Sequence, residues 1–479
     1  LKPATIRIQE GREVRTAVDE PKYLSLEVPR KIALALLFIL LFLLPALSYA
    51  AGPPSAVETP GHWISRAGDP DEPVLSPEEV RGFNLATIGA MDQMADLRSF
   101  PDTLPGEKVF EWIWMDLLAD PGKRYDSKGL ALSEDFFIDL VRNMDLYGIG
   151  EEVKVRFGVV TGRADMRGLP THEAVLSKPD RGGFDSIQYS SLYPPARVIL
   201  LHTSEDGEWG FFQAETLRGW LRMDQVALAE RDLVLRAEDE EFLVVTGNRV
   251  KVYRDRALEN SAAEVAMGGV LDISARAEQG SPWTVRFPER GPGGALAWTE
   301  GYVHPGSEVH VGYLPYTRSN IITQAFKMLG EEYGWGGIKG LRDCSLFIQD
   351  IFATVGVKLP RNSRQQGVTG EVLAHMDAGG AREDVSLALN GSDPGITLLT
   401  LDGHVMLYLG DSGGKPYVIH QIFGYADRGG LKRVGKVAVT GLDLGSRSAI
   451  GSMKLRLRGV TRVTIPGEYR IKTAIDKQA

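Results

Sequence analysis

One cysteine and eight histidines are the side chains of this chain best suited to nucleophilic chemistry. Cys344 follows the glycine-rich stretch Tyr333-Gly334-Trp335-Gly336-Gly337 and stands within Arg342-Asp343-Cys344-Ser345. The residues behind it, Leu346-Phe347-Ile348-Gln349-Asp350-Ile351-Phe352-Ala353, carry a helical apolar face. The spacing therefore predicts Cys344 at the first turn of a buried helix. There the positive helix end favours a thiolate, and free N–H groups can hold an oxyanion. The glycines let backbone come close, as a substrate groove needs. A thiol nucleophile needs a base, usually histidine. His404 opens the apolar run HVMLYLG and His420 closes KPYVIH, with the turn Gly410-Asp411-Ser412-Gly413-Gly414 between them. The midpoint of the two positions falls inside that turn. A symmetric hairpin would set the imidazoles face to face on one side of a sheet. One can take the proton of Cys344 and the other can orient the first.

The same residues admit other readings. A buried cysteine in an apolar helix is often a small hydrophobe, and a histidine in a strand is often structural. A Cys-His-His zinc site stays open by ligand type, although no acidic partner stands at metal-ligand spacing and HExxH is absent. His202, His304 and His310 fall in strand-rich stretches, and His375 on a loop or helix surface. Neither GxGxxG nor GxxxxGK[ST] occurs, so no phosphate loop is expected. A single cysteine excludes a disulfide framework. A net charge of -9 without a Lys/Arg run in the body argues against a nucleic-acid partner. With 54 Gly and 26 Pro the chain is not an all-helical bundle.

The elements that must position these residues change character along the chain. Arg30-Lys31, the apolar run over 32–44 and Ser48-Tyr49-Ala50 have the order of a secretory signal, too short for a comfortable membrane span. Residues 1–50 are read as leader and signal peptide and 51–75 as a loose linker. Residues 76–154 are read as a helical segment opened by Ser76-Pro77-Glu78-Glu79, with helices near 77–97, 108–119 and 132–146. From 155 short apolar runs alternate with turns such as Glu205-Asp206-Gly207. They predict two small β-barrels, over 155–229 and 230–316, with Gly219-Trp220-Leu221 and Gly301-Tyr302-Val303 at similar late positions. A helix followed by strands makes 317–479 an α+β domain. Leu359-Pro360-Arg361-Asn362-Ser363 beyond the cysteine helix is polar and turn-forming. Asn362 and Ser363 can line a groove there, and Arg361 is suited to fix a carboxylate.

Taken together, Tyr333–Gly337, Asp343-Cys344-Ser345, Leu359-Pro360-Arg361-Asn362-Ser363 with Gln366, HVMLYLG from His404 and Ile419-His420 resemble the NlpC/P60 family of papain-like cell-wall peptidases. The stretches RADMRGLPT (163–171) and FDSIQYSSL (184–192) and the Gly219-Trp220 pair resemble the bacterial SH3-like domains that precede the peptidase domain in one subgroup. The resemblance implies a multidomain α+β chain: a helical N-terminal segment, two small SH3-like β-barrels and a C-terminal papain-like domain. It implies Cys344 as nucleophile, His404 as base and His420 as orienter. Asp343, Ser345, Ser363 and Trp335 would contact substrate, and Asp185 and Tyr189 would wall the groove and read a free L-Ala amine. The implied reaction cleaves the bond between γ-D-glutamate and a diamino acid such as diaminopimelate in murein stem peptides, outside the cytoplasm and without metal or organic cofactor. A murein-binding scaffold without activity, and an amidase or acyltransferase of the same fold, are the competing functions. Two departures from the family pattern stand out: Leu346 replaces the Gly usually found two residues after the cysteine. Gly395-Ile396-Thr397-Leu398 replaces the usual Gly-Asp-Leu strand.

Overall fold

The computed structural model describes residues 55–116, 122–179, 184–235, 237, 240–375 and 387–466. The leader and signal over 1–50 lie outside them. Among the described residues no helix is long and apolar enough to cross a membrane.

The helical segment forms as its caps predict. Ser76 Oγ accepts from Glu79 N, and the Glu79 carboxylate accepts from Ser76 N, closing a capping box ahead of the Pro77–Ala90 helix. Helices Gly106–Asp116 and Glu134–Asn143 follow, the latter capped by Ser133. The loose linker expected over 51–75 needs correction. Pro60–Ile64 is helical, and Pro73–Leu75 pairs antiparallel with Tyr316–Thr317. Trp63 is fully buried in the core of the C-terminal domain, its ring 5.4 Å from that of Tyr417 and its Nε1 donating to the Val57 carbonyl at 2.9 Å. One large side chain anchors this start. A five-residue helix is too short to show a periodic pattern.

Two antiparallel sheets of seven strands come next. In the first the spatial order is Val226–Ala229, Arg156–Val160, Arg197–Thr203, Trp209–Gln213, Arg218–Arg222, Ala164–Arg167, Gln188–Leu192. The second, between 242 and 311, has the same order when its strands are numbered along the chain. Gly219-Trp220 and Gly301-Tyr302 therefore lie on equivalent strands, which accounts for their echo in sequence. The expected closed barrels are corrected to open sheets: among the described residues no ladder joins the two end strands of either. The free edge of the first, Gln188–Leu192, docks on another domain instead.

In the C-terminal domain, helix α1 (Arg318–Phe326) is followed by α2 (Cys344–Ala353) and α3 (Ser363–Gln366). Strands β1 (Glu371–His375), β2 (Thr397–Leu401), β3 (His404–Ser412), β4 (Lys415–Asp427), β5 (Gly430–Gly441) and β6 (Gly459–Arg462) form one antiparallel sheet in the order β1-β6-β2-β3-β4-β5. Strand alternation divides its apolar residues. Val405, Leu407, Leu409 and Ile419 pack with α2, whereas Met406, Tyr408, Val418 and Ile422 pack with Leu442, Met453 and Leu457. Arg342, fully buried, ties this domain to the second sheet. Its guanidinium donates to Glu331 at 2.9 Å, Asp350 at 2.6 Å and Asn248 Oδ1 at 2.6 Å.

Candidate active site

Cys344 is the first residue of α2. Asp343 caps the helix, its Oδ1 accepting from Leu346 N at 3.0 Å. The thiol is buried, and the backbone N–H groups of Val405 and Ser345 face its sulfur. Val405 follows His404 directly, so the start of β3 is brought to the start of α2. Burial pushes the thiol up to about 12, and the neighbouring Asp343 carboxylate adds to this. The Val405 N–H, Arg361 and the Ser345 N–H pull the other way. The helix end is expected to favour a thiolate; here desolvation and a like charge outweigh it.

His404 and His420 lie on one face of the sheet. His404 Nε2 is 2.8 Å from His420 Nδ1. They are not directly opposite, as a symmetric hairpin would have them. The ladder pairs Leu407 with Ile419 and Tyr408 with Val418, then shifts register before Gly410. The pair is diagonal. His420 Nε2 is in turn 3.0 Å from Thr440 Oγ1 on β5, again diagonally, since Ala438 is the direct partner of His420. A polar line thus crosses three strands. Burial lowers His404 to about 4, helped by Arg456 and opposed by Asp343. Burial, reinforced by His404, holds His420 well below the ordinary range. Cysteine and histidines are therefore all neutral at rest, and among the described residues no hydrogen bond joins the thiol to either imidazole.

The predicted substrate contacts fall into two groups. Asp343, Ser345 and Arg361 form a buried knot. Arg361 pairs with Asp343 Oδ2 at 2.7 Å, donates to Ser345 Oγ at 2.7 Å and reaches Ser190 Oγ of the first sheet at 2.9 Å. Burial pushes the Asp343 carboxyl up, but Arg361 and the N–H groups of Leu346 and Gly336 outweigh it and hold it below the ordinary range. Arg361 does fix a carboxylate, that of Asp343. Asp185 is likewise engaged within its own unit. It pairs with Arg167 at 3.1 Å and accepts from Val175 N and Ile187 N, so its carboxylate is not presented to a ligand ammonium. Its carbonyl accepts from Trp335 Nε1 at 2.8 Å. Tyr189 is half-buried against Gly168. Trp335 is exposed and stacks on Phe184 with centroids 4.4 Å apart, and Phe423 packs edge-on against Phe184 at 4.9 Å. Ser363 opens α3 and is half-buried.

The glycines before the cysteine serve a different neighbour from the one expected. Gly336 and Gly337 have positive φ, and a Cβ on them would meet Gln188 O at 2.3 Å and Ser191 N at 2.8 Å. Gln188 Nε2 donates to Gly336 O at 3.0 Å, Ser191 Oγ to Gly337 O at 2.7 Å and Tyr193 OH to Gly340 O at 2.9 Å. The loop is smooth so that the free edge of the first sheet can lie on it, rather than to leave room for substrate.

Sequence reasoning left out Thr440 and Phe423, and quoted Phe184 and Tyr333 without a role of their own. Burial and the charges of Cys344 and Asp343 drive the Tyr333 phenol far above its ordinary range, which sets it beside the thiol. Among the described residues no group of three or more His, Cys, Asp and Glu is arranged to hold a metal ion. A cavity of about 380 Å³ lies elsewhere, bounded by Ser190, Leu192, Pro195, Met267, Ala353 and Leu359.

A model of the NlpC/P60 family matches residues 330–422, which hold Cys344, His404 and His420, and a model of the SH3 domain of SH3b1 type matches residues 176–222. No curated protein matches the chain. Among solved structures, an NlpC/P60 endopeptidase from Photobacterium damselae subsp. piscicida is similar in fold. Its TM-score is 0.67 at 18% identity, over 85% of this chain and 97% of that one. An NlpC/P60 family protein from Bacillus cereus aligns over 58% of this chain and 83% of its own, at 15% identity and TM-score 0.42. The peptidoglycan hydrolase RipB of Mycobacterium tuberculosis aligns over 31% and 64%, at 23% identity and TM-score 0.20. This chain therefore carries an NlpC/P60 domain, preceded by an SH3 domain of the SH3b1 type.

Proposed function

We propose that the chain is an exported cysteine endopeptidase that hydrolyses the γ-D-glutamyl–diamino acid bond, with diaminopimelate as the diamino acid, in murein peptides bearing a free N-terminal L-Ala. The observation that supports the chemistry is the diagonal line of His404, His420 and Thr440, whose first member directly precedes Val405, the residue whose N–H faces the Cys344 sulfur at a helix start. A proton-accepting His404 needs Nδ1 free, so Nε2 carries the hydrogen and donates to His420 Nδ1. His420 then carries hydrogen on Nε2 and donates to Thr440 Oγ1. Each nitrogen in this arrangement has a partner except the one that must act.

In the reaction the sulfur of Cys344 attacks the γ-carbonyl carbon while its proton passes to His404 Nδ1. The C–N bond then breaks as that proton is delivered to the leaving amine. Water attacks the thioester, gives its proton to His404 and releases the acid, and the thiol is restored. The step starts from a neutral pair, so substrate has to bring thiol and imidazole into contact. Trp335, Phe184 and Tyr189 are read as the wall contributed with the SH3b1-type domain, and Ser363 as part of the rim. Asp343 and Ser345 act through the Arg361 knot that holds the start of α2. Export to the periplasm or beyond rests on the signal-like order of residues 30–50.

Digestion of defined muropeptides, with products weighed by mass spectrometry, tests the reading. L-Ala-γ-D-Glu-diaminopimelate is expected to yield L-Ala-γ-D-Glu, and the cleavage to vanish in folded Cys344→Ala and His404→Ala proteins. Full activity in either variant would sink it.

A further inference from the structure

The sheet face that carries His404 and His420 is covered by the segment 442–458, through Leu442, Met453 and Leu457. This segment leads into β6, which pairs with β2, and β2 is joined to β3 by the Asp402-Gly403 turn just before His404. Arg456 therefore sits at the corner where the candidate base enters the sheet. Its Nε is buried without a hydrogen-bond partner among the described residues, and no ion pair is formed by its guanidinium there. Asp402, a carboxylate within electrostatic reach of Arg456, is already held by Arg458 through both Nε and Nη2. Arg364, on α3 next to Ser363, lies within electrostatic reach of the same Asp402. Arg458 in contact and Arg364 and Arg456 within electrostatic reach thus set three guanidinium groups against one carboxylate, in a chain whose net charge is -9. A buried donor without a partner and a local excess of positive charge both call for an anion.

Resting on the peptidase reading above, we propose that Arg456, with Arg364 across the Asp402 turn, is a carboxylate subsite for the leaving half of the substrate. His404 delivers its proton to the departing amine, so the leaving fragment lies on the His404 side of the thiol. The Trp335 loop, on which the SH3b1-type edge is docked, is read as the wall for the acyl half. A diamino acid carries a carboxylate next to the amine that departs. Arg456 binds that carboxylate and holds the scissile bond in line with the thiol. The subsite selects leaving groups that are amino acids over plain amines.

Two substrates that differ only in this group decide the matter: L-Ala-γ-D-Glu-L-Lys and L-Ala-γ-D-Glu-cadaverine, which lacks the lysine carboxylate. The native chain is expected to favour the lysine peptide by about 10- to 100-fold in kcat/KM, the range of one charge-assisted hydrogen bond. Arg456→Met should abolish the preference, bringing kcat/KM for the lysine peptide down to that for the cadaverine amide measured on the same variant, and Arg456→Lys should keep part of it. A native-like circular dichroism spectrum and urea midpoint report that the variant is folded. A native chain that cuts both substrates equally, or an Arg456→Met protein that keeps the full preference, overturns the subsite and leaves the peptidase reading standing. Cleavage of neither by the native chain, nor of the diaminopimelate peptide, overturns the peptidase reading and the subsite with it. If Arg456→Met loses both rates, Arg456→Gln is measured in its place, and retention of the preference there overturns the proposal.

Discussion

His404 and His420 stand two positions out of register on neighbouring strands, yet His404 Nε2 and His420 Nδ1 are 2.8 Å apart. The shift in the ladder before Gly410 makes the pair diagonal, and the same offset on the next strand brings Thr440 to His420. A diagonal contact reaches farther along the sheet than a direct one. It lets three short polar groups form a continuous line that ends at the first residue of β3.

In the proposed mechanism Thr440 Oγ1, 3.0 Å from His420 Nε2, accepts its hydrogen and so fixes the tautomer of His420 and, through it, that of His404. Thr440→Val is expected to lower kcat by about 10- to 100-fold, the usual cost of removing a partner behind a reacting imidazole, with little change in KM. Thr440→Ser should restore most of the rate. Steady-state kinetics on the diaminopimelate peptide checks this, and equal loss in the Val and Ser variants would mark the residue as packing alone.

The neutral resting pair has a pH signature. The unfolded imidazole of His404 takes a proton below about 6.5, the folded one only below about 4. Between these values the unfolded chain binds more protons, so this group's contribution to stability is complete above about 6.5 and is lost as pH falls towards 4. His420 acts with the same sign. Urea unfolding from pH 8 to pH 4 is expected to show this decline, and a His404→Gln protein a shallower one. Alkylation of Cys344 by iodoacetamide should keep accelerating with pH well above neutrality, since the thiol titrates at about 12. A plateau below pH 8 would reveal a thiolate–imidazolium pair instead.

Gly336 is predicted to be intolerant of any side chain. Its φ is +59°, and a Cβ would lie 2.3 Å from the Gln188 carbonyl. Gly336→Ala must pay the left-handed strain, about 1–3 kcal/mol, and also push the SH3b1-type edge off the loop that carries Trp335. Thermal unfolding should fall, and activity should fall further than the stability loss explains. Gln188→Ala, which removes one hydrogen bond without a clash, should be milder on both measures.

Trp63 should matter although it lies some 280 residues before the cysteine in sequence. Its side chain is fully buried among residues of the C-terminal core. Trp63→Ala is expected to cost about 3–5 kcal/mol, the range for truncating a buried aromatic residue, seen as a lower midpoint in urea. A shift worth under about 1 kcal/mol would show that this segment is not part of the domain.

Much of this protein is written locally in its sequence. Ser76 with Glu79, and Asp343 before an apolar helix, are helix starts because a short polar side chain satisfies free N–H groups wherever it precedes such a run. Cys344 at a helix start and His404 at a strand start are legible from period and turn signals, whereas His420, expected to close its strand, lies inside β4, which runs on to Asp427. The two sheets announce themselves by alternation and turn residues, and their shared strand order is echoed by Gly219-Trp220 and Gly301-Tyr302. Partners far apart in the chain were decided only by the tertiary structure. Register is a property of a strand pair, so the diagonal placement of the histidines and the arrival of Thr440 could not be read from spacing. Asp185 and Asp343 are as suitable for an ammonium as for a guanidinium. Packing delivered Arg167 to one and Arg361 to the other. The glycines before Cys344 signal close approach without saying of what, and the fold answers with the edge strand of the SH3b1-type domain. A sequence states which groups can pair; burial and chain topology choose among the pairs.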